Sequence, residues 1–395
     1  MRFNRRKHVR EFISKREEQA SMILRRLISP SVRFRLRDAI SWLREQLGRA
    51  CLWKWELAKL PQEFASSPYE ILYAGRKAQR ASAKLLLTIE SDGKALPAKS
   101  HISNQIAVVS EIPIPGALRV PCSLRVVVPL GRPIEEISAG FGDNLRRLVR
   151  RNMPRYRMQQ ALTDSEIDLA NWKMLQPYAS ARHGDAATQI DPNEVSRLAR
   201  HAGRLDFVIL GDEVVACNLG CEFSMAGKRY WSTIRFGYPW AVFSDSKRLS
   251  ETNAISFYLA LEWALKNGFD YYDMGSCLAR PEDELLQWKK RWGGELNMIG
   301  HHDHFHVRLP KVGAAQFFWN TPLFSAKERN LALHLGLPDG KSDVEFAAHY
   351  RKMNFGGLLK IYLHCTRPPS EHLLKKLRSL YGHRPPPVVE IVTPS

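Results

Sequence analysis

The order of predicted helices and strands in residues 137–310 constrains the fold of this chain more than any other feature. Three helical segments come first, and three strand-like runs joined by two short polar turns follow them. A long helix, a strand, a short helix and a final strand complete the region. The predicted helices cover residues 144–151, 166–180, 193–201, 251–266 and 282–291, and the predicted strands cover residues 206–210, 214–223, 229–236, 269–274 and 297–309. This order predicts an α/β (α+β) fold in which helices flank a mixed central sheet.

The rest of the 395-residue chain predicts three further parts, because the length exceeds that of one average domain. Residues 1–60 have the periodicity of a basic amphipathic helical segment. Residues 61–136 predict a small sheet-bearing unit, and residues 311–395 predict a C-terminal extension with a proline-rich tail. The strands predicted outside the central region cover residues 83–89, 105–109, 123–128 and 358–364, and a basic helix covers residues 371–381.

Much of the positive charge lies in residues 1–60, which hold 16 Lys and Arg against 6 Asp and Glu, or +10 of the net charge of +19. Two interpretations fit this segment. It packs as a helix on the next domain, or it lies on an anionic membrane surface with Trp42, Trp53 and Trp55 as interfacial anchors. The sequence contains no recognisable nucleic-acid-binding module, so we expect no specific DNA binding.

The cysteine pattern and the lengths of the apolar runs predict a cytoplasmic protein. Six cysteines are spread without a C-x-x-C pair, which favours reduced thiols. The basic amino terminus lacks the apolar core of a cleaved signal, and no uninterrupted run of about 18 apolar residues occurs. The basic residues 1–60 leave association with the inner face of the membrane open.

Three segments resemble those of a known family: NLRRLVRRN at residues 144–152, LGDEVVACNLGCEF at residues 210–223, and FDYYDMGSCLARPEDELLQWKKRWGGE at residues 269–295. Together they resemble the GNAT-related acyltransferase domain of FemAB-type aminoacyltransferases and of BioF2-like or CelD-like acyltransferases. The third segment is the most specific, because a strand ending in Asp-x-Gly precedes a helix that closes in a K-x-x-W-G-like run. The resemblance implies an N-acyltransferase that moves an acyl group from acyl-CoA, or an aminoacyl group from aminoacyl-tRNA, to an amine acceptor in cell-envelope or polysaccharide metabolism.

The family resemblance also implies a place for the donor. In this fold the central strands splay apart, and the following helix points its amino end at a pyrophosphate. Lys247 and Arg248 would then contact phosphate oxygens, and Ser250 would be the N-cap of the helix. No glycine-rich run opens this helix, which departs from the acyl-CoA pattern. A solvated loop is the alternative for these cations.

Transfer to an amine needs an aligned neutral amine, a stabilised oxyanion and groups that move protons. The candidates are Asp273 as base or orienting carboxylate and Tyr271 as proton donor, which share one face of a predicted strand. His183, in a predicted loop, is a candidate proton shuttle. Lys289 and Arg291 resemble the family's basic pair near a substrate phosphate. A structural or solvated role is the alternative for each of these residues.

A histidine run raises the question of a metal site. His302, His304 and His306 would share one face of an extended strand, and three imidazoles could hold zinc. No residue that would orient these imidazoles is evident from the sequence, so we expect no metal.

Other functional classes fit less well. The chain lacks the G-x-S-x-G, G-x-x-x-x-G-K-[ST] and G-x-G-x-x-G motifs, which disfavours hydrolase, NTPase and nicotinamide-dependent activities. The remaining alternative is a catalytically degenerate GNAT-like protein that acts as a membrane-peripheral adaptor through residues 1–60.

Overall fold

A computed structural model describes the chain at residues 32, 36, 39–40, 42–43, 46–47, 49–51, 54–60, 70–87, 106–183, 192–300, 303–310, 313–328, 330–381 and 386–393. The strands are β1 Trp55–Leu60, β2 Glu70–Arg76, β3 Ile106–Ser110, β4 Leu118–Pro121, β5 Ser123–Pro129, β6 Tyr156–Gln160, β7 Gly203–Leu210, β8 Glu213–Met225, β9 Lys228–Gly237, β10 Tyr271–Leu278, β11 Glu295–Asn297, β12 His304–Arg308, β13 Leu323–Lys327, β14 Asn330–Leu337, β15 Leu358–Cys365 and β16 Val388–Val392.

The helices are α1 Arg80–Leu86, α2 Ile134–Ala139, α3 Asp143–Asn152, α4 Asp164–Ala170, α5 Gln176–His183, α6 Pro192–Arg197, α7 Trp240–Phe243, α8 Ser246–Lys266, α9 Glu284–Lys290, α10 Ala314–Asn320, α11 Asp343–His349 and α12 Glu371–Ser379. A π-helical turn, Asn171–Leu175, joins α4 to α5, and a second one, Leu198–Ala202, follows α6. Helices and mixed sheets together confirm the predicted α/β class.

The chain divides into two compact units that interleave along the sequence. The first unit comprises the described residues of positions 1–39 and 143–272, and the second comprises those of positions 40–142 and 273–395. The sequence predicts consecutive segments instead. The chain passes from the first unit to the second within strand β10.

Four antiparallel strands form the sheet of the first unit, in the order β9-β8-β7-β6. Two buried apolar clusters cover it. One contains Val208 of β7 with Ile255 and Leu259 of α8, and the other contains Leu205 of β7 with Ile167 of α4. Because both faces of β7 are covered, its sequence is a nearly continuous apolar run rather than an alternating one.

Helix α8 is the longest helix among the described residues and a largely buried one. Its residues from Ala254 to Leu261 are all buried, so apolar side chains occur all round this part of the helix. The helix ends at Asn267, and Gly268 follows with a φ of 70°, which glycine adopts without strain. This confirms the predicted C-cap.

The second unit contains two larger sheets. One has the order β1-β2-β3-β12-β4, and the other has the order β13-β14-β15-β16. Strands β14, β15 and β16 are parallel, with α11 and α12 in the two crossovers. Strand β11 pairs antiparallel with β5, and β5 is also the neighbour of β10. One apolar cluster, which includes Phe305, Phe324 and Leu363, forms the core of this unit.

Three predicted elements were wrong. Residues 55–60 form strand β1 rather than the end of a helix, because each of them pairs with a residue of β2. Of the strand predicted over residues 83–89, residues 83–86 belong to helix α1, in which Ala83 and Leu86 lie three residues apart on the buried side; residues 88–89 lie outside the described residues. The single strand predicted over residues 297–309 is two strands, β11 and β12, which belong to different sheets.

The described residues between positions 32 and 50 are helical, as predicted for the amino-terminal segment. Trp42 in this segment is 48% exposed. Trp55 lies in strand β1, and Trp53 lies outside the described residues. Among the residues that the structure describes, no helix combines the length and apolarity needed to cross a bilayer. Membrane-surface contact stays a prediction.

Gly336 in β14 provides a test of packing in the second unit. A Cβ atom there would lie 1.9 Å from the carbonyl oxygen of Ala315 and 2.6 Å from the amide nitrogen of Trp319, both backbone atoms of α10. We expect Gly336→Ala to lower the free energy of unfolding by about 1–3 kcal/mol, measured by thermal denaturation. Gly131→Ala is the matched control, because nothing lies within 4 Å of its Cβ position. Equal unfolding temperatures for the two variants would contradict this packing.

A buried histidine pair in the second unit predicts the pH dependence of stability. Nδ1 of His334 lies 3.0 Å from Nε2 of His364, and Ser325 Oγ lies 2.8 Å from Nε2 of His334. Burial lowers the pKa of His334 to about 3 and that of His364 to about 4. Above pH 6.5 both imidazoles are neutral in the folded and unfolded chain. Below it the unfolded chain binds protons that the folded chain does not, so stability is lost as the pH falls from about 6.5 to about 4.

The double variant His334→Leu/His364→Leu should therefore lose less stability than the wild type between pH 7 and pH 5 in thermal denaturation. The exposed His372 supplies the control, and His372→Leu should keep the pH dependence of the wild type. A double variant as sensitive to pH as the wild type would show that the buried pair does not cause the effect.

Candidate functional site

Strand β9 contains a β-bulge at Ile234. Leu219 of β8 pairs with Arg235, and the next residue, Gly220, pairs with Thr233, so Ile234 has no partner in β8. The Ile234 side chain is 38% exposed. A bulge bends its strand and turns its backbone groups, and bulges are frequent next to active sites. The backbone geometry of β9 therefore marks this position as a candidate site.

Arg235 follows the bulge directly and was not predicted from the sequence. Its side chain is half-buried, and its guanidinium makes no hydrogen bond or ion pair with any residue that the structure describes. Partial burial lowers the pKa of Arg235, with no nearby carboxylate to oppose the shift. A desolvated cation without an acidic partner is a favourable binding group for a phosphate or carboxylate.

The amino end of α8 has a different cap from the predicted one. The Asp245 carboxylate accepts hydrogen bonds from the backbone N–H groups of Lys247, at 2.9 Å, and Arg248, at 3.1 Å. The helix begins at Ser246, so the prediction of Ser250 as N-cap was wrong; Ser250 is an exposed residue of the second turn. The predicted boundary is too late because residues 246–250 lack the apolar periodicity on which it rested.

The two cations in the first turn of α8 have different surroundings. Lys247 is exposed to solvent. Arg248 is half-buried and forms an ion pair of 2.5 Å with Glu213 at the start of β8. Arg248 also donates to the carbonyl oxygen of Ala241, at 3.4 Å. Arg248 thus has an acidic partner, whereas Lys247 points its ammonium group into solvent.

The two tyrosines at the start of β10 differ in role. The Tyr271 ring stacks on Tyr230 with ring centroids 4.9 Å apart, and it is half-buried. The Tyr272 ring is buried and packs on Phe257, and its hydroxyl lies 2.7 Å from Oγ1 of Thr233. Since Thr233 precedes the bulge, Tyr272 and not the predicted Tyr271 carries a hydroxyl to this part of β9. The sequence shows that Tyr271 and Tyr272 point to opposite faces of the strand, because side chains alternate along it. It does not show which of the two faces is buried.

In the second unit, Asp273 is fully buried and paired with Arg125. Nη1 of Arg125 lies 2.5 Å from Oδ2 of Asp273, and the backbone N–H of Gly275 donates to Oδ1 at 3.0 Å. Lys289 is also buried, and its ammonium donates to the carbonyl oxygens of Gly275 and Ser276, each at 2.8 Å. Burial lowers the pKa of Lys289. Asp273 and Lys289 therefore both bind backbone groups of residues 275–276 in strand β10.

The remaining predicted site residues lie apart from these groups. Arg291 is exposed, and its carbonyl oxygen accepts a hydrogen bond from the N–H of Gly142 at 2.8 Å. His183 is the last residue of helix α5 rather than part of a loop, and residues 184–185 lie outside the described residues.

The histidine run lies next to arginines. Both ring nitrogens of His304 lie 3.5 Å from guanidinium nitrogens of Arg49, and Nδ1 lies 3.5 Å from one of Arg119. Burial and the same two arginines lower the pKa of His306. Two cations beside these imidazoles disfavour a further cation. His302 lies outside the described residues, and the described part of the chain contains no cluster of three metal-binding side chains.

Comparisons with known proteins found solved structures that resemble this chain weakly. No family model matches the chain, and no curated protein matches its sequence. Among solved structures, FemX is 13% identical over 67% of this chain and 90% of its own, with a TM-score of 0.36. L-PGS from Bacillus licheniformis is 11% identical over 65% of this chain and 80% of its own, with a TM-score of 0.31. A GCN5-related N-acetyltransferase from Anabaena variabilis ATCC 29413 is 11% identical over 85% of each chain, with a TM-score of 0.28. Likeness at this level identifies neither a donor nor an acceptor for this chain.

The pairing of Asp273 with Arg125 predicts a large effect on stability. Asp273→Asn removes the charge that neutralises a largely buried guanidinium, so we expect the free energy of unfolding to fall by about 3–5 kcal/mol. Denaturant unfolding of the full chain measures this loss. In a double-mutant cycle, adding Arg125→Met should restore part of the stability, because it removes the guanidinium that lost its carboxylate.

Glu390→Gln supplies the control for this cycle. Glu390 forms an exposed ion pair with Lys360 in the same unit, with a nitrogen-to-oxygen distance of 2.9 Å, and exposed pairs contribute little. If Asp273→Asn unfolds as the wild type does, the ion pair is not a structural requirement, and a purely catalytic role for Asp273 regains support.

Proposed function

We propose that the first unit is an N-acyltransferase domain that moves an acyl group from acyl-CoA, or an aminoacyl group from a nucleotide-linked ester, to an amine acceptor. The observation that carries this proposal is the bulge at Ile234 followed by Arg235, a half-buried cation with no acidic partner among the described residues. Arg235 thus lies directly beside a residue that has no partner in β8.

In this proposal, the bulge binds the acyl end of the donor. Backbone N–H groups that are turned out of the strand ladder can hydrogen-bond an extended donor by strand addition and stabilise an oxyanion. Arg235 suits the anionic part, because a guanidinium forms paired, charge-assisted hydrogen bonds with phosphate oxygens. Lys247, exposed on the first turn of α8, would add a second positive charge.

The reaction would need few protein groups. The amine nitrogen attacks the carbonyl carbon, a C–N bond forms, and the thioester C–S or ester C–O bond breaks. One proton leaves the amine, and the departing sulfur or oxygen takes one up. The hydroxyls of Tyr272 and Thr233, 2.7 Å apart beside the bulge, are the groups in the first unit that we assign to the second transfer.

Of the two roles predicted for Asp273, base or orienting carboxylate, we propose the second. Its carboxylate is fully buried and bound to Arg125 and to the Gly275 N–H, which supports an orienting function within the second unit rather than proton abstraction. Tyr271, Lys289, Arg291 and His183 stay candidates on the basis of the family resemblance. A cytoplasmic location and membrane contact through residues 1–60 also stay predictions.

A non-catalytic adaptor is the second candidate, and one observation favours it. The Asp245 carboxylate occupies the N–H groups of Lys247 and Arg248, which a pyrophosphate at the amino end of α8 would otherwise use. A donor would have to displace this cap or bind beside it. Binding beside it, on Arg235 and Lys247, is compatible with transfer.

Ligand binding separates the two functions. We expect acetyl-CoA, a long-chain acyl-CoA or an aminoacyl-tRNA to raise the unfolding temperature of the full chain and to bind in calorimetry. Arg235→Met should weaken binding of that donor about 10- to 100-fold, the effect of losing a charge-assisted hydrogen bond.

Arg157→Met is the matched control for Arg235→Met, because Arg157 is an exposed arginine of the same sheet, in strand β6. It should bind the donor as the wild type does. Absence of binding by every donor, with a folded protein, would support the adaptor. Equal weakening by both variants would remove Arg235 from the site.

A further inference from the structure

A cavity of about 500 Å³ lies in the first unit at the carboxyl end of α8. The residues that matter for its chemistry are Gln160, Arg204, Glu222, Arg229, Trp231 and Trp263. Its size suits a small organic ligand. None of its lining residues belongs to the proposed donor site at Ile234, Arg235 and Lys247.

The Arg204 side chain contacts three residues, and one of its nitrogen atoms is left for a ligand. Its Nε atom lies 2.6 and 2.7 Å from the two carboxylate oxygens of Asp206, and its Nη1 donates to Gln160 Oε1 at 3.0 Å. Its guanidinium carbon lies 4.9 Å from the ring centroid of Trp263, in a cation–π contact. Nη2 of Arg204 makes no hydrogen bond with the residues that the structure describes. Arg204 is thus a pre-organised donor in the cavity wall.

The other charges of the cavity are already neutralised. Arg229 binds both carboxylate oxygens of Glu222, at 3.0 and 3.1 Å, and lies 4.4 Å from the ring centroid of Phe269. Arg204 is balanced by Asp206, whose side chain is only 4% exposed. Two cations and two carboxylates therefore surround the cavity, and this balanced charge disfavours a phosphate dianion.

Aromatic rings form the apolar part of the wall. The ring centroids of Trp231 and Trp263 are 4.5 Å apart, and Phe269 lies 5.4 Å from Trp231 and 5.9 Å from Trp263. A Cβ atom at Gly220 would lie 2.5 Å from the Trp231 ring, so this glycine lets the indole lie flat on strand β8. The ring planes of Trp231 and Trp263 are tilted by 56°, so they form an angled apolar wall against which a planar ring can pack.

We propose that this cavity binds a small aromatic monocarboxylate. The carboxylate would accept hydrogen bonds from Nη2 of Arg204 and from the neighbouring amides of Gln160 and Asn267, and the ring would pack against the Trp231 and Trp263 surface. The site does not depend on the transferase function, and its occupant is neither donor nor acceptor in that reaction.

The test compares three probes on the full chain by calorimetry: indole-3-acetate, indole-3-acetamide and inorganic phosphate. The first two share a ring and differ in charge. We expect indole-3-acetate to bind at least about 10-fold more tightly than the amide, because one charge-assisted hydrogen bond is lost. Phosphate should not displace indole-3-acetate. Equal binding of acid and amide, displacement by phosphate, or no binding of either indole overturns the proposal.

Variants locate the binding in the cavity. Arg204→Met alone would leave Asp206 buried and unpaired, so it is combined with Asp206→Asn. This double variant should remove the preference for the acid, whereas Trp263→Leu should weaken acid and amide by a similar factor. Arg197→Met is the matched control, because Arg197 is half-buried and paired with Glu194 but lies outside the cavity lining. Unchanged preference in the double variant, confirmed as folded by circular dichroism, places the probe elsewhere.

Discussion

Neutralisation of buried charge fixes the positions of the strands on which this structure is built. Three buried carboxylates lie on or beside strands, and each is bound by an arginine of the same unit. The pairs are Glu111 with Arg76, Asp273 with Arg125 and Asp206 with Arg204. Because an unpaired buried charge destabilises a fold by several kcal/mol, the first two pairs each hold two segments of the second unit in one arrangement. Arg204 and Asp206 both lie on β7, so their pair neutralises charge within a single strand. Arg235 departs from this rule, since it is half-buried and has no acidic partner among the described residues. In our proposal, the anionic group of a ligand pairs with Arg235.

Strand β9 and helix α8 carry both surfaces to which we assign ligands. The bulge at Ile234 interrupts the second half of β9, and Arg229 and Trp231 in its first half line the cavity. Asp245 caps one end of α8, and Trp263 lies near the other. Over its 21 residues, α8 is about 30 Å long, so its two ends belong to separate surfaces. The buried middle of the helix packs on the sheet and holds those surfaces apart.

Several features of the site could be predicted from the sequence, and others could not. Helix α8, its C-cap and the strands on either side of it were predictable, because each has a local signal in periodicity or in turn residues. The cap at Asp245 was missed because apolar periodicity begins several residues after the helix does. Asp273 was selected from its place in a strand, but its ion pair with Arg125 joins residues 148 positions apart and has no local signal. Arg235 was missed because it is distinguished by having no acidic partner among the described residues, and the sequence does not show which charges are paired.

The sequence by itself determined the α/β class, the order of elements from α3 to α9 apart from β6 and α7, and the concentration of positive charge in residues 1–60. These features depend on composition and on the periodicity of neighbouring residues. Only the tertiary structure decided which charges are neutralised, which residue of β9 bulges out of the ladder and where a cavity remains. These depend on contacts between residues far apart in the chain. Strand pairing also overrode local preference at residues 55–60, where a predicted helix is the strand β1. Long-range contacts of this kind leave no pattern in the residues next to them.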